Sequence, residues 1–149
     1  MVSYHLAPAA DCPPETLYKL LWLRVRVFVV EQNAAYDDLD GRDIESGAEL
    51  LWAEEGGEVV STARILREPD ALRIGRVATD PSARGRGVAG ELLRRAVERC
   101  TQLDARTDIL LGAQAHLVDW YAGFGFIVDG PGYEEDGIPH LPMRRRAGG

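Results

Sequence analysis

Val77-Ala78-Thr79-Asp80-Pro81-Ser82-Ala83-Arg84-Gly85-Arg86-Gly87-Val88-Ala89-Gly90 is the stretch on which the fold turns. An apolar run enters it, Asp80-Pro81 bends the chain, two glycines alternate with two arginines, and an amphipathic segment leaves it. Glycines at a strand-to-helix turn let backbone N–H groups crowd toward an anion with no Cβ in the way. The first amides of a helix lack partners and sit at the positive end of its dipole, so a phosphate is favoured there. Arg84 and Arg86 add charge. The turn therefore predicts a phosphate site made by the amides of residues 84–89.

Gly85-Arg86-Gly87-Val88-Ala89-Gly90 matches the dinucleotide fingerprint G-x-G-x-x-G, but its setting does not. In that fold a strand runs straight into the first glycine, whereas here Asp80-Pro81-Ser82-Ala83 intervene. The next strand ends Gly112-Ala113-Gln114, with no acid to take ribose hydroxyls. The interval from Gly85 to Gly90 also fits a nucleoside-triphosphate loop. There Glu91-Leu92 occupies the place of Lys and Ser/Thr, and its carboxylate would repel the phosphates. What survives is Arg84-x-x-Gly87-x-Ala89 after a strand ending Val77-Ala78-Thr79.

Working outward, Val88, Leu92, Leu93, Ala96, Val97 and Cys100 share one face of a helix over 87–100. Glu91, Arg94, Arg95, Glu98 and Arg99 share the other. Upstream, 72–78 is a strand in which Leu72 and Ile74 have one parity and Val77 the other, so a bulge near Gly75 splays it. Strands 50–54 and 59–66 flank Glu55-Gly56-Gly57-Glu58, a hairpin whose glycines both accept positive φ. Before them come a strand over 3–6, a helix over 15–31 whose β-branched far end, 25–30, allows it to end early, and an irregular acidic loop over 33–49 with room for one helical turn and few core candidates. That helix faces the core with Leu17, Leu20, Leu21, the stem of Arg24, Val27 and Phe28. After the central helix come a strand over 109–113 buried on both faces, a helix over 116–123 and a strand over 126–128. A Gly/Pro-rich acidic loop and a strand over 141–145 complete a mixed sheet with helices on its faces.

The 149 residues make one domain of ordinary size, with 46% hydrophobic and 28% charged residues. A net charge of -7 argues against nucleic acid. The one basic run, Arg144-Arg145-Arg146, lies beside Gly148-Gly149 and is expected to be a solvated tail. Cys12 and Cys100 are too few and too far apart for a disulfide framework. No signal peptide is apparent, and the most apolar segment, 17–30, carries Lys19, Arg24 and Arg26, so no membrane and a cytoplasmic setting are expected. His5, His116 and His140 are isolated, and no metal is indicated.

The phosphate turn after its strand resembles that of the GNAT superfamily of N-acetyltransferases. Trp120-Tyr121-Ala122-Gly123-Phe124-Gly125-Phe126 independently resembles the aromatic-Tyr-x-x-x-Gly-Phe segment of that family. Residues 23–32 (LRVRVFVVEQ), 111–116 (LGAQAH) and 133–140 (YEEDGIPH) look like its ElaA-type branch. The resemblance covers nearly the whole chain. It implies an α/β (α+β) fold, a mixed and mostly antiparallel central sheet splayed at the fourth strand, with helices on both faces. It implies acetyl-CoA as co-substrate, its pyrophosphate on the amides of Arg84, Gly85, Arg86, Gly87, Val88 and Ala89. The pantetheine arm would lie along Val77, Ala78 and Thr79, with Gln114 at a position where the family often has Asn.

On this resemblance Tyr121 is the general acid for the departing thiolate, with a coenzyme-binding regulatory module that lost catalysis as the alternative. Many relatives place a basic glutamate on the splayed strand, but Arg73-Ile74-Gly75-Arg76 offers none. His116 is the first candidate base, ahead of Glu31, Glu135 and His140. The expected acceptor is a small-molecule or peptide amine, a cationic one if the acidic segments 37–45 and 134–136 converge on the acceptor side. The chain itself is expected to be a monomer or homodimer.

Overall fold

Residues 1–148 are described by a computed structural model. Their strands join one sheet in the order β1 (Val2–Ala7), β2 (Glu49–Glu55), β3 (Glu58–Arg67), β4 (Ala71–Thr79), β5 (Asp108–Gln114), β8 (Ile138–Arg145), β6 (Ile127–Val128). The short β7 (Tyr133–Glu135) also pairs with β8. Every pairing is antiparallel except β4 with β5, as expected of a mixed, mostly antiparallel sheet. Gly56 (φ 61°) and Gly57 (φ 80°) both take the left-handed conformation that the β2–β3 hairpin requires.

Helices cover both faces. Helix α2 (Val88–Leu103) buries Leu92, Leu93, Ala96 and Cys100 against Leu51, Ile65, Ile74 and Leu111. Each fully buried leucine there contributes about 2 kcal/mol of transfer free energy. Helix α3 (Val118–Ala122) adds Tyr121 to the same cluster. On the opposite face α1 (Pro14–Val25) packs Leu20 and Leu23 on Leu50, Trp52 and Ala78.

Five expectations are sharpened or corrected. The helix over 15–31 is α-helical only to Val25; Arg26–Glu31 winds as a wider π-helical turn. Valines 27, 29 and 30 fall here, directly after Val25, and β-branched side chains crowd the preceding turn of an α-helix. Strand β5 is not buried on both faces: Ile109, Leu111 and Ala113 are buried, while Gly112 is exposed and Leu110 and Gln114 are half-buried, because a cleft opens on that side. The acidic loop after residue 128 contains β7, joined to β8 through Asp136 (φ 52°) and Gly137 (φ 80°), so the last strand begins at Ile138 rather than Leu141. An Asp-Gly pair suits such a two-residue turn.

The basic run is not a solvated tail. Arg144 and Arg145 lie in β8, and Arg144 holds Asp108 and Asp129 at 2.9 Å each; Gly149 lies outside the described residues. Finally, the acidic loop over 33–49 is irregular with one helical turn, but it is not poor in core residues. Its Asp38 and Asp43 are buried, with Ala34 and Ala48, around the 3-10 turn Arg42–Ile44. No described helix is long and apolar enough to cross a membrane.

Candidate active site

Strands β4 and β5 pair only at Ala71↔Asp108, Leu72↔Ile109 and Arg73↔Leu110. Beyond Arg73 they part. The cause is visible in the register of β3 against β4, which runs Thr62↔Ala78 and then Arg64↔Gly75, so β4 carries one extra residue. The bulge predicted beside Gly75 is centred on Arg76, whose φ of 50° is the left-handed conformation of a bulged residue. It switches parity: Leu72 and Ile74 join the α2-side core, whereas Ala78 faces α1. The facing edges of β4 after Arg73 and of β5 after Leu110 are left with no strand between them.

A cleft of about 1010 Å³ occupies this gap and reaches the turn before α2. In that turn Gly85 (φ 74°) and Gly87 (φ 79°) are left-handed, and a Cβ on either would meet no protein atom within 4 Å. The first hydrogen bond of α2 runs from Glu91 N–H to Gly87 O, so the amides of Val88, Ala89 and Gly90 precede the intrahelical ladder. Gly87 caps α2 without a side chain. The turn thus has open space over its glycines and unspent donors around them, which fits an anionic diphosphate.

The flanking arginines are not free charges. Arg84 donates to Thr79 O at 2.9 Å and to both oxygens of Glu31 at 2.8 Å, clipping the turn to the end of β4 and to the π turn after α1. Arg86 points away from the cleft and pairs with Glu55. Glu31 also lines the cleft, where both of its oxygens are engaged by Arg84. Val77, Ala78, Thr79, Val88, Ala89 and Gln114 line the cleft, and Thr79 is anchored by Ser61 Oγ at 2.9 Å.

Tyr121 also lines the cleft, 6% exposed, edge-on to Trp120 and Phe126. Burial pushes its phenol up to about 12. Of the three histidines, His5 lies outside the cleft, stacked on Trp52. His116 is exposed at the cleft and makes no side-chain hydrogen bond, ion pair or ring contact among the described residues. His140 is held more closely: it pairs across the strands with Gln114, stacks on Tyr133 at 5.5 Å, and its Nδ1 lies 2.7 Å from Ile138 O. A carbonyl oxygen only accepts, so Nδ1 carries the proton and the neutral ring keeps its lone pair on Nε2. Glu135 lies 3.8 Å from that Nε2.

Below the gap the acidic loop closes a ring of six alternating charges. Arg24 Nε meets Asp38 Oδ2 at 2.9 Å, Asp38 Oδ1 meets Arg76 Nε at 2.9 Å, and Arg76 Nη2 meets Asp40 Oδ2 at 3.3 Å. Asp40 Oδ1 meets Arg64 Nη1 at 2.9 Å, Arg64 Nη1 meets Asp43 Oδ1 at 3.3 Å, and Asp43 Oδ1 returns to Arg24 Nη1 at 2.5 Å. Arg24 is fully buried, so its charge requires these partners. Arg76, the bulge residue, also lies 5.7 Å over the Tyr36 ring. The ring was missed in the sequence. Its signal was an arginine on an apolar helix face, Arg24, and another inside an apolar strand, Arg64.

A family model described as an acetyltransferase (GNAT) domain matches residues 9–147. The chain belongs to this GNAT family. It is 45% identical over 148 residues to the protein ElaA of Escherichia coli, covering 97% of each chain. The crystal structure of E. coli ElaA superposes with a TM-score of 0.93 at 39% identity, covering 98% of this chain and 100% of that one. An acyl-CoA N-acyltransferase from Pseudomonas aeruginosa superposes equally well, with a TM-score of 0.93 at 36% identity over 97% and 99% of the two chains. Membership of the GNAT family brings with it an acyltransferase fold and an acyl-CoA donor.

Proposed function

We propose that the chain transfers an acetyl group from acetyl-CoA to a primary amine by direct attack on the thioester. The observation that carries this reading is one continuous cleft with unspent turn amides at one end and Tyr121, His140 and His116 along it. The unpaired edge of β4 suits an extended arm laid alongside it as an added strand. An arm that starts on the turn at Arg84 runs back along Thr79, Ala78 and Val77 toward the apex at Arg73.

Acetyl-CoA supplies an activated acyl carbon. The residues supply placement and protons. Backbone N–H groups on the open edge of β4 polarise the carbonyl. The amine nitrogen forms its bond to the acyl carbon as the C–S bond breaks, and the products are an acetamide and free CoA. His140 takes the amine proton, since its tautomer is fixed and leaves Nε2 as the acceptor; His116 is the second candidate. Tyr121 donates to the departing sulfur, and at about 12 its phenol keeps its proton across any ordinary assay pH.

The test is thiol release from acetyl-CoA with a broad amine panel and product mass spectrometry. Tyr121→Phe is expected to lower kcat roughly 10²- to 10⁴-fold. Because the active form of Tyr121 is the protonated one, lost only as pH rises past about 12, the variant should lower the pH–rate profile without moving its limbs. Tight CoA binding with no turnover of any amine would instead favour a coenzyme-binding regulatory module.

A further inference from the structure

At the acceptor end of the cleft the acidic loop has spent its carboxylates, and several arginines keep donors in reserve. Both oxygens of Glu68 are taken, Oε1 by Arg73 Nε at 2.8 Å and Oε2 by Arg42 Nη2 at 3.5 Å. Asp40 gives Oδ1 and Oδ2 to Arg64. Asp38 and Asp43 are consumed within the ring, and Glu45 is held by Arg42. Along the cleft the acidic loop therefore offers a cation almost no open oxygen; its one carboxylate without a partner among the described residues, the exposed Asp37, lies outside the cleft lining.

Donor capacity remains. Among the described residues, Nη1 and Nη2 of Arg73 have no protein partner, because that guanidinium bonds only through Nε. Nη1 of Arg42 and Nη1 of Arg76 are likewise unspent. Arg73 belongs to the last β4–β5 pair, so it stands at the apex of the splay, where an arm running down from the turn ends. Tyr133 stands across from it. Its hydroxyl lies over Gly112, where a Cβ would overlap it, and has no protein partner among the described residues. The guanidinium of Arg73 is near enough to bear on that phenol electrostatically. Carboxylates without an arginine lie on the hairpin side of the cleft, at Glu135 beside His140 and at Asp136.

We propose that the acceptor is an amine that also carries a carboxylate, of the amino-acid type, with the carboxylate bound by Arg73 and Tyr133. Glu68 holds Arg73 by its Nε, which leaves the two Nη groups to grip a carboxylate side by side. The amine then lies toward Glu135 and His140, where a positive charge is met and a proton can be removed. This assignment rests on the transferase reading above and narrows its substrate.

Calorimetric titration of the CoA-saturated protein tests it, with matched pairs such as phenylalanine against phenethylamine, lysine against cadaverine and tryptophan against tryptamine. At least one amino acid should bind roughly ten- to a hundredfold tighter than its decarboxylated partner, the worth of a hydrogen bond to a charged group. Arg73→Gln should erase that margin while leaving CoA affinity and the thermal midpoint near wild type, and Arg73→Lys should restore part of it. Normal CoA binding with decarboxylated amines favoured, or with no amino acid bound, overturns the proposal alone. Failure to bind CoA at all takes the donor reading down with it.

Discussion

At the scale of single residues, the two imidazoles of the cleft differ in preparation rather than in kind. His116 is exposed and its ring makes no hydrogen bond or ion pair among the described residues, so no protein partner selects its tautomer. His140 is half-buried beneath Tyr133 and tied by Nδ1 to Ile138 O, which fixes both its plane and the nitrogen left as a base. A base oriented by a second group loses less freedom on reaching the transition state. We expect His140→Gln to lower kcat roughly 10²-fold or more with little change in KM for acetyl-CoA, and His116→Gln to change kcat far less. Steady-state kinetics with one common amine decides it; the reverse order would move the base to His116. His140 was visible in the sequence only as one candidate among four. Its neighbours Tyr133 and Ile138 reach it through a hairpin that the Asp136-Gly137 pair announces, and which a reading of this stretch as loop conceals.

At the scale of elements, the turn before α2 was legible because its chemistry is local. Two left-handed glycines, a helix start and an upstream strand lie within one short stretch, and the structure puts them where periodicity did. The bulge was legible to within one residue: the parity switch between Ile74 and Val77 required an extra residue, and Gly75 drew attention one position early, since Arg76 carries the left-handed φ. A glycine substitution separates the turn's backbone role from its ligand role. Gly87→Ala forces a Cβ onto φ 79°, with a conformational cost of about 1–2 kcal/mol, yet it meets no protein atom. Gly56→Ala in the β2–β3 hairpin, at φ 61° with equally open surroundings, should cost a similar amount. Urea denaturation should show comparable losses for both, while CoA titration should show roughly tenfold weaker binding for Gly87→Ala only, from crowding of the phosphates. Unchanged CoA affinity in Gly87→Ala would remove the turn from the site.

At the scale of the molecule, the ring of Arg24, Asp38, Arg76, Asp40, Arg64 and Asp43 joins α1, the acidic loop, β3 and the bulge of β4 through partners 14 to 38 residues apart. Composition shows that such charges exist, but pairing at this separation is decided by the fold, so the sequence suggested a solvated acidic loop where there is a buried network. The network ties stability to acid pH in a calculable direction. Burial pushes the Asp40 carboxyl up, but Arg64, the Arg42 amide and Arg76 outweigh it and hold the group at about 2. In the unfolded chain an aspartate titrates near about 3.9, so on acidification the unfolded chain takes up this proton first. The contribution of Asp40 is complete above about pH 4 and is lost as pH falls toward 2. Asp40→Asn removes the charge at every pH. Its unfolding free energy should lie below wild type at pH 7, decline less steeply between pH 4 and 2, and meet the wild-type curve at the acid end. Parallel curves across that window would mean that Asp40 titrates alike in the folded and unfolded chain, and that the ring does not hold its charge.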